Sequence, residues 1–264
     1  MNDILYTNGS YRTPDRKPSL FARTFPGLKF YYHLLSVVVR GSSKAKRGKY
    51  KTAEWCASSL ETLRALESVG VRMEIDGVDN FATLGSPCIF IGNHMSTLET
   101  FVLPKIISSF RESTFVVKQS LVDYPIFKHI MRTRNPITVG RTNPREDLKA
   151  VFEGGEERLK AGVSLVIFPQ TTRTAVFDPA EFNTIGIKLA KRANVPVVPV
   201  ALLTDAWGNG KRLKDFGRID PSKLVHFSFG KPIWIKDRGT EEHQQIIDFI
   251  TDKLRAWGGQ IAGQ

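Results

Sequence analysis

A histidine and a carboxylate stand five positions apart, directly after a short apolar run. Residues 88–92 read Cys-Ile-Phe-Ile-Gly, and residues 93–99 read Asn-His-Met-Ser-Thr-Leu-Glu. The α/β proteins keep their reactive groups at the carboxyl ends of buried strands, where the next helix has not yet begun. A histidine there can act as a general base near neutral pH, and a carboxylate can fix its tautomer and stabilise its protonated form. The pattern predicts that His94 and Glu99 form the chemical centre of the protein.

Glu99 also has a structural interpretation. Ser96 and Glu99 match a capping box, in which the serine caps the amino end of a helix and the glutamate reaches back to it. Residues five apart on one helix point about 140° away from each other. The catalytic interpretation therefore requires His94 in the loop and Glu99 in the first helical turn. This motif alone leaves the two interpretations open.

Three further predicted strands end in basic or hydroxyl-bearing residues. Lys118 follows Phe-Val-Val, Arg141 follows Ile-Thr-Val-Gly, and Arg173 closes the run Phe-Pro-Gln-Thr-Thr-Arg. An arginine among hydroxyls suits a phosphate or a carboxylate, because its guanidinium can make a bidentate contact. If the strands are parallel, these residues and His94 lie along one rim of the sheet. A single surface cation is most often only solvated, but four residues at equivalent positions indicate a binding site.

These segments resemble, in order and spacing, the motif blocks of the glycerolipid acyltransferases, the lysophosphatidic acid acyltransferase superfamily. Residues 93–99 are similar to the first block, whose usual form is Asn-His-x4-Asp. Residues 137–141 look like the second block, which closes with an arginine. Residues 168–174, Phe-Pro-Gln-Thr-Thr-Arg-Thr, are similar to the third, usually Phe-Pro-Glu-Gly-Thr-Arg-Ser. Residues 195–200 match the fourth block, and the whole resemblance covers about residues 85–205.

The resemblance implies acyl transfer from a thioester, either acyl-CoA or an acyl carrier protein, to a hydroxyl of a lysophospholipid. The foremost acceptor would be 1-acylglycerol-3-phosphate, in phospholipid biosynthesis. His94 would remove the proton from the acceptor hydroxyl and Glu99 would orient the imidazole, so that no acyl-enzyme is needed. Neither a metal nor a cofactor besides the thioester co-substrate is implied. The residues implied for acceptor binding are Lys118, Arg141, Gln170, Thr171, Thr172 and Arg173.

The sequence departs from the usual blocks at three of these positions. Glu99 stands for an aspartate, which keeps the charge and adds one methylene. Gln170 stands for a glutamate and removes a negative charge, and Thr171 stands for a glycine and restricts the backbone. The last two changes lie where the family binds its acceptor. A different lysolipid, for example a lyso-aminolipid, and a lipid-binding relative without catalysis therefore stay open as alternatives.

Positive charge is concentrated at the amino end. The formal net charge is +12, and residues 1–51 contain eleven Lys or Arg against two Asp. Such a block favours a polyanionic partner: nucleic acid, an anionic membrane or an acidic protein. Residues 30–39 carry no formal charge. They are too few to span a bilayer, which takes about 20 residues, but they suit a helix lying in the membrane interface. A hydrophobic core helix is the alternative.

No nucleic-acid recognition motif accompanies the basic block, so we predict an anionic membrane surface as a partner and no nucleic acid. Cys56 and Cys88 offer neither a disulfide framework nor a zinc spacing, which favours a reducing compartment. No secretory signal peptide is evident. These features together predict a peripheral or monotopic protein at the cytoplasmic face of a membrane.

Strands alternate with helices from residue 71 onward, which predicts an α/β fold with a mostly parallel central sheet covered by helices. A basic segment at 1–70, with a helical hairpin for membrane attachment, would precede an α/β acyltransferase domain at 71–264. In the hairpin, a basic turn at 41–48 would join the apolar segment to a helix at 51–69. The predicted strands lie at 71–75, 88–91, 114–117, 137–139, 164–168, 195–200 and 224–229, and the helices at 98–109, 125–131, 145–160, 181–193 and 241–257.

Overall fold

The computed structural model describes residues 3–15, 17–170, 172–211 and 213–263. Its strands are β1 (Tyr11–Arg12), β2 (Arg72–Asp76), β3 (Ile89–Gly92), β4 (Ser113–Lys118), β5 (Ile137–Val139), β6 (Ser164–Ile167), β7 (Val176–Phe177), β8 (Val197–Leu203), β9 (Leu224–Phe229) and β10 (Gln260–Ile261). Eight of these strands form one sheet in the order β1-β2-β9-β8-β3-β6-β4-β5, and β10 pairs with β7.

Helices lie between most of the strands. They are α1 (Leu20–Thr24), α2 (Pro26–Lys46), α3 (Thr52–Ser68), α4 (Asp79–Ala82), α5 (Thr97–Ser108), α6 (Gln119–Asp123), α7 (Phe127–Thr133), α8 (Pro144–Lys160), α9 (Ile185–Ala193) and α10 (Thr240–Ala256). A short 3₁₀ helix, Pro179–Glu181, precedes α9. The predicted α/β class is confirmed.

The central strands run in one direction. β3 is parallel to both β6 and β8, and β4 is parallel to both β6 and β5. β9 is antiparallel to β8 and parallel to β2, so β9 and β2 run opposite to β3. The mostly parallel sheet of the prediction is confirmed. The carboxyl ends of β3, β4, β5, β6 and β8 therefore meet at one edge, where open α/β sheets bind their ligands.

The strands beside β3 are apolar on both faces because helices cover both sides of the sheet. Phe90 of β3 belongs to a core that it shares with residues of α2, α3 and α5. Its neighbours Ile89 and Ile91 point to the opposite core, which contains residues of α8, α9 and α10. Every residue of β3 and of β6 is buried. This two-sided burial fixes the position of the loop that follows β3.

Gly92 ends β3 at a place where only glycine fits. A Cβ atom at Gly92 would lie 2.7 Å from the carbonyl oxygen of Val200, in the neighbouring strand β8. The next residue, Asn93, is buried and extends the pairing of the two strands with its side chain. Its Nδ2 donates to the oxygen of Leu202 at 2.8 Å, and its Oδ1 accepts from the nitrogen of Leu202 at 2.9 Å. These contacts set where the chain leaves the sheet, one residue before His94.

Helix α2 is longer than predicted. The predicted basic turn at 41–48 is wrong, because α2 continues to Lys46 and only residues 47–51 separate it from α3. Gly41 lies inside the helix and is buried, since α7 and Tyr50 approach it closely. A Cβ at Gly41 would lie 3.0 Å from Ile130 and 3.1 Å from Tyr50. A glycine at this point thus permits close packing and does not end the helix.

The apolar segment at 30–39 divides its side chains between two environments. Phe30, Leu34 and Val37 are buried, in contact with the body of the protein, whereas Leu35 and Val39 are exposed. α2 contacts both α3 and α7. Within the described residues, no helix has the combination of length and hydrophobicity that crossing a bilayer requires. Attachment of these helices to a membrane, and the division of the chain at residue 70, stay predictions.

Candidate active site

The four strand-end residues lie around one cavity. His94 follows β3, Lys118 is the last residue of β4, and Arg141 lies two residues beyond β5. Arg173 belongs to the turn after β6. All four line a cavity of about 690 Å³. The parallel strands thus place these side chains together, as the sequence predicted.

His94 and Glu99 are in direct contact. His94 Nδ1 lies 2.9 Å from Glu99 Oε1. The imidazole stacks on the ring of Phe168, with centroids 4.4 Å apart and 5° between the planes. The carboxylate can only accept, so it fixes the proton on Nδ1 and leaves Nε2 as the basic nitrogen. The ring is thereby held in one tautomer and one orientation.

The contacts of Glu99 meet the geometric requirements of both interpretations. Ser96 is the N-cap of α5, and Glu99 is the residue that reaches back to it. Glu99 Oε1 accepts from the backbone nitrogens of Met95 and Ser96, each at 2.8 Å, in addition to the imidazole of His94. One oxygen therefore caps the helix and orients the histidine. His94 lies in the loop and Glu99 in the first turn, as the catalytic interpretation required.

The second oxygen of Glu99 is held by two hydroxyls. Thr204 Oγ1 donates to Oε2 at 2.6 Å and Ser96 Oγ donates to it at 2.9 Å. Glu99 is completely buried. Burial by itself would raise the pKa of Glu99, but the hydrogen bond and charge of His94, with the bonds from Thr204 and Ser96, outweigh it and hold the pKa below its ordinary value. The carboxylate is therefore ionised at neutral pH.

Replacing Thr204 by valine is expected to lower the free energy of unfolding by about 1–3 kcal/mol, because a buried carboxylate oxygen loses a donor. Urea denaturation of the two proteins measures this difference. Thr251→Val is the matched control, since the buried hydroxyl of Thr251 has no hydrogen-bond partner among the described residues. That control should keep or raise the stability. Equal losses in the two variants would show that Thr204 does not hold the carboxylate.

Gln170 binds the backbone of the loop that contains His94. Its Oε1 accepts from the backbone nitrogen of His94 at 2.8 Å, and the side chain is buried. This position needs an acceptor, which an amide oxygen supplies as well as a carboxylate oxygen does. Gln170 also lines the cavity, beside Thr172. Thr171, which the resemblance placed in the acceptor site, lies outside the described residues.

Two charged residues that line the cavity escaped the sequence analysis. Lys214 and Asp215 line the cavity, and both contact the turn after β6. Lys214 Nζ donates to Thr172 Oγ1 at 3.1 Å. Arg173 Nη1 donates to Asp215 Oδ1 at 2.7 Å and also to the hydroxyl of Thr97. Their only signal in the sequence is the glycine-rich run Gly-Asn-Gly-Lys that precedes them.

Arg141 and Lys118 stand at the outer rim of the cavity, and both residues are exposed. Arg141 has a positive φ of 61°, an uncommon conformation for a residue with a side chain. Asp147, in the first turn of α8, stabilises this turn. Its two carboxylate oxygens accept from the backbone nitrogens of Gly140 and Arg141 at 2.7 and 2.8 Å.

The remaining wall of the cavity is apolar. It is formed by side chains from α2, α3, α5 and α7 and from strand β4, among them Leu34, Val38, Trp55, Phe101, Phe115 and Ile130. Among the described residues, no group of three or more His, Cys, Asp or Glu is placed to hold a metal ion. The absence of a cofactor stays a prediction.

Fold and site together define an α/β protein with a histidine–carboxylate pair at the edge of a parallel sheet, between a cationic rim and an apolar wall. A family model described as Acyltransferase matches residues 72–203. The chain belongs to this acyltransferase family. The matched range contains β2 to β8, with the pair His94 and Glu99.

Named relatives agree with this family. The chain is 32% identical over 155 residues to a 1-acyl-sn-glycerol-3-phosphate acyltransferase of Pseudomonas aeruginosa, covering 59% of this chain and 58% of that protein. It is 31% identical over 136 residues to a probable 1-acyl-sn-glycerol-3-phosphate acyltransferase of Mycoplasma genitalium, covering 50% of each. The chain thus spans only about half the length of these relatives.

A solved structure shares the fold. The crystal structure of the 1-acyl-sn-glycerophosphate acyltransferase PlsC from Thermotoga maritima superimposes with a TM-score of 0.68. The match covers 89% of this chain and 95% of that chain at 18% sequence identity. The shared fold therefore extends over most of the chain.

Proposed function

We propose that the protein is an O-acyltransferase that moves a fatty acyl group from a thioester to the hydroxyl of 1-acylglycerol-3-phosphate, in phospholipid biosynthesis. The observation that carries the proposal is the contact of His94 Nδ1 with Glu99 Oε1, at 2.9 Å, inside a cavity with cations on one side and an apolar wall on the other. The names of the two relatives support the same acceptor.

The proposed chemistry needs a base and no covalent enzyme intermediate. His94 Nε2 removes the proton of the acceptor hydroxyl while the hydroxyl oxygen attacks the thioester carbonyl. The new ester bond forms as the carbon–sulfur bond breaks, and the imidazolium returns the proton to the leaving thiolate. Glu99 stabilises the imidazolium because its buried carboxylate faces Nδ1.

The cavity offers separate places for the two halves of a lysophospholipid. Its phosphate would be bound by the cationic rim, where Arg141, Arg173, Lys118 and Lys214 supply positive charge. Its acyl chain would lie along the apolar wall. The donor would be acyl-CoA or an acyl carrier protein, both of which present the same thioester.

The outer face of α1 and α2 would rest on an anionic membrane surface, at the cytoplasmic face of the bilayer. Leu28, Tyr32, Leu35 and Val39 recur at helical spacing and are all exposed. Leu20, Phe21 and Phe25 add exposed apolar surface in and beside α1. Basic residues in the last turn of α2 continue the same helix. An exposed apolar stripe next to cations is typical of helices that lie in the membrane interface.

The double variant Leu28→Ser, Leu35→Ser is expected to bind anionic phospholipid vesicles at least about tenfold more weakly, because burial of each leucine contributes about 1.5–3 kcal/mol. Vesicle flotation at fixed ionic strength measures the binding. Leu148→Ser is the control, since Leu148 is exposed on α8, outside α1 and α2. Undiminished binding of the double variant, or a preference of the wild type for RNA over vesicles, would contradict the membrane proposal.

One direct assay tests the acyltransferase proposal. The purified protein is incubated with acyl-CoA or acyl carrier protein donors and a panel of lysolipids, and the products are identified by mass spectrometry. Phosphatidic acid formed from lysophosphatidic acid is the expected result. Acylation of a lyso-aminolipid alone would identify a different acceptor, and binding of lysolipids without any product would identify a lipid-binding relative.

A further inference from the structure

The segment between Gly208 and Arg218 lies beside the site. Its described residues are 208–211 and 213–218. The nitrogen of Gly208 donates to the oxygen of Arg218 at 3.0 Å, which closes the segment at its base. Asn209 Nδ2 donates to the oxygen of Met95, beside His94, at 2.9 Å. The backbone of the segment is thus tied to the catalytic loop.

The backbone of Asp215 is fixed in the same way. Its carbonyl oxygen accepts from Trp207 Nε1 at 3.2 Å, and the hydroxyl of Tyr31 donates to the oxygen of Gly217, two residues later. The carboxylate of Asp215 lies 2.7 Å from Arg173 Nη1 and faces the cavity. A carboxylate and a phosphate bind a guanidinium through the same charge-assisted hydrogen bonds. Asp215 therefore occupies a contact that an anionic acceptor would use.

We propose that the carboxylate of Asp215 competes with the phosphate of the acceptor for Arg173 and thereby lowers the affinity of the site for phosphate. This inference rests on the proposed function, because it assigns Arg173 to the acceptor phosphate. The backbone around Asp215 is held by Trp207 and Tyr31, so the carboxylate gives way to the phosphate through a rotation of its side chain. If the carboxylate of Asp215 stays in place, binding the phosphate beside it is unfavourable because both groups are negatively charged.

The competition has a consequence for the occupancy of the site. Every phosphomonoester must displace the carboxylate of Asp215 from Arg173, so the binding of all of them is weakened by the same amount. A lysophospholipid regains affinity through its acyl chain on the apolar wall of the cavity. Water-soluble phosphomonoesters and free phosphate have no such chain. Asp215 therefore lowers the occupancy of the empty site by soluble phosphates, at concentrations at which a lysophospholipid still binds. The ratio of the two affinities is unchanged.

The test compares the wild type with Asp215→Asn, which keeps the shape and an acceptor oxygen but removes the charge. The Kd of glycerol 3-phosphate is measured by isothermal titration calorimetry at fixed ionic strength, and inorganic phosphate is titrated separately. Asp215→Asn is expected to bind both about tenfold more tightly, because the like charge is gone. The longer Asp215→Glu retains the charge and should bind weakly, as the wild type does.

Asp220→Asn is the matched control for the change in net charge. Asp220 accepts from the nitrogen and the hydroxyl of Ser222 and does not line the cavity. This control should bind glycerol 3-phosphate as the wild type does, whereas a gain equal to that of Asp215→Asn would mean a general charge effect and would overturn the proposal. Unchanged affinity, weaker affinity or no measurable binding in Asp215→Asn would also overturn it.

The titration needs no turnover, so the two proposals can fail separately. Tighter binding of glycerol 3-phosphate by Asp215→Asn, with no acylation of lysophosphatidic acid by the wild type, would uphold the role of Asp215 and defeat the acyltransferase proposal. Acylation by the wild type without any change in the titration would do the reverse. If the acyltransferase proposal and the role of Asp215 both hold, Asp215→Asn lowers the KM for lysophosphatidic acid more than it changes kcat.

Discussion

The His94→Gln protein is expected to transfer acyl groups about 10²- to 10⁴-fold more slowly than the wild type, which is the usual contribution of a positioned general base. Glutamine can still donate to the carboxylate of Glu99, but it cannot take a proton from the acceptor hydroxyl. The measurement is kcat with lysophosphatidic acid and a saturating acyl thioester. The fall should be in kcat, since the apolar wall and the cationic rim of the cavity are unchanged.

Two further measurements make this result specific to the imidazole. His33→Gln changes an exposed histidine of α2 that does not line the cavity, so this variant should retain the wild-type rate. Thermal unfolding should show similar Tm values for His94→Gln and the wild type, because the ring is partly exposed. A His94→Gln protein that folds and keeps its turnover would exclude His94 as the base.

The buried strands were the most predictable elements of this fold. β5 and β9 lie where the sequence placed them. The predicted helix at 145–160 differs from α8 by one residue at its start, and the predicted helix at 98–109 differs from α5 by one residue at each end. A strand covered on both faces reads as a continuous apolar run. In the helices between such runs, apolar residues recur with the period of an α-helix. Local pattern and tertiary environment therefore agree at these elements.

Elements that depend on distant partners could not be predicted in this way. β1, β7 and β10 have two residues each, too few for any periodicity. The antiparallel pairing of β8 with β9 depends on the path of the chain between them, which has no local signature. α2 continues through Gly41 because α7 packs closely against it, and that contact cannot be inferred from the glycine alone.

The same distinction applies to the site. Strand-end residues were predicted because parallel strands deliver their carboxyl ends to one edge, and His94, Lys118 and Arg173 all follow this rule. Thr204 and Asp215 follow β8 and act through contacts with residues 105 and 42 positions away. No spacing rule connects such positions. They are found only when the order of the strands is known.

The Glu99→Gln protein is expected to lose both activity and stability. An amide cannot compensate the charge of the imidazolium, and a misplacement of the base by about 1 Å can cost about 10²-fold in rate. In the wild type, five donors from His94, Met95, Ser96 and Thr204 face the carboxylate. In the variant, the NH₂ group of the amide lies among these donors and has no acceptor. Leaving such a buried group unsatisfied costs about 1–3 kcal/mol. Steady-state kcat and urea denaturation measure the two losses.

Glu99→Asp is the control for the losses of activity and stability expected in Glu99→Gln. It retains the charge but shortens the side chain by one methylene, so its carboxylate cannot contact both His94 and Thr204 from the same backbone. Both its rate and its stability should fall between those of the wild type and Glu99→Gln. If Glu99→Gln lost about 1 kcal/mol of stability, as a helix cap would, and kept its rate, Glu99 would be a cap only.

Acid titration separates the charge of Glu99 from its shape. Because the pKa of Glu99 in the folded protein is held below its ordinary value of 4.5, the ionised form stabilises the fold. This contribution is complete above the ordinary pKa and is lost as the pH falls through the lowered one. Urea denaturation of the wild type and Glu99→Gln should therefore show a stability difference that is constant at neutral pH and shrinks in acid. A difference that instead grew as the pH fell from neutral toward 4.5 would mean that the carboxylate is protonated in the native protein, and it could not then stabilise an imidazolium.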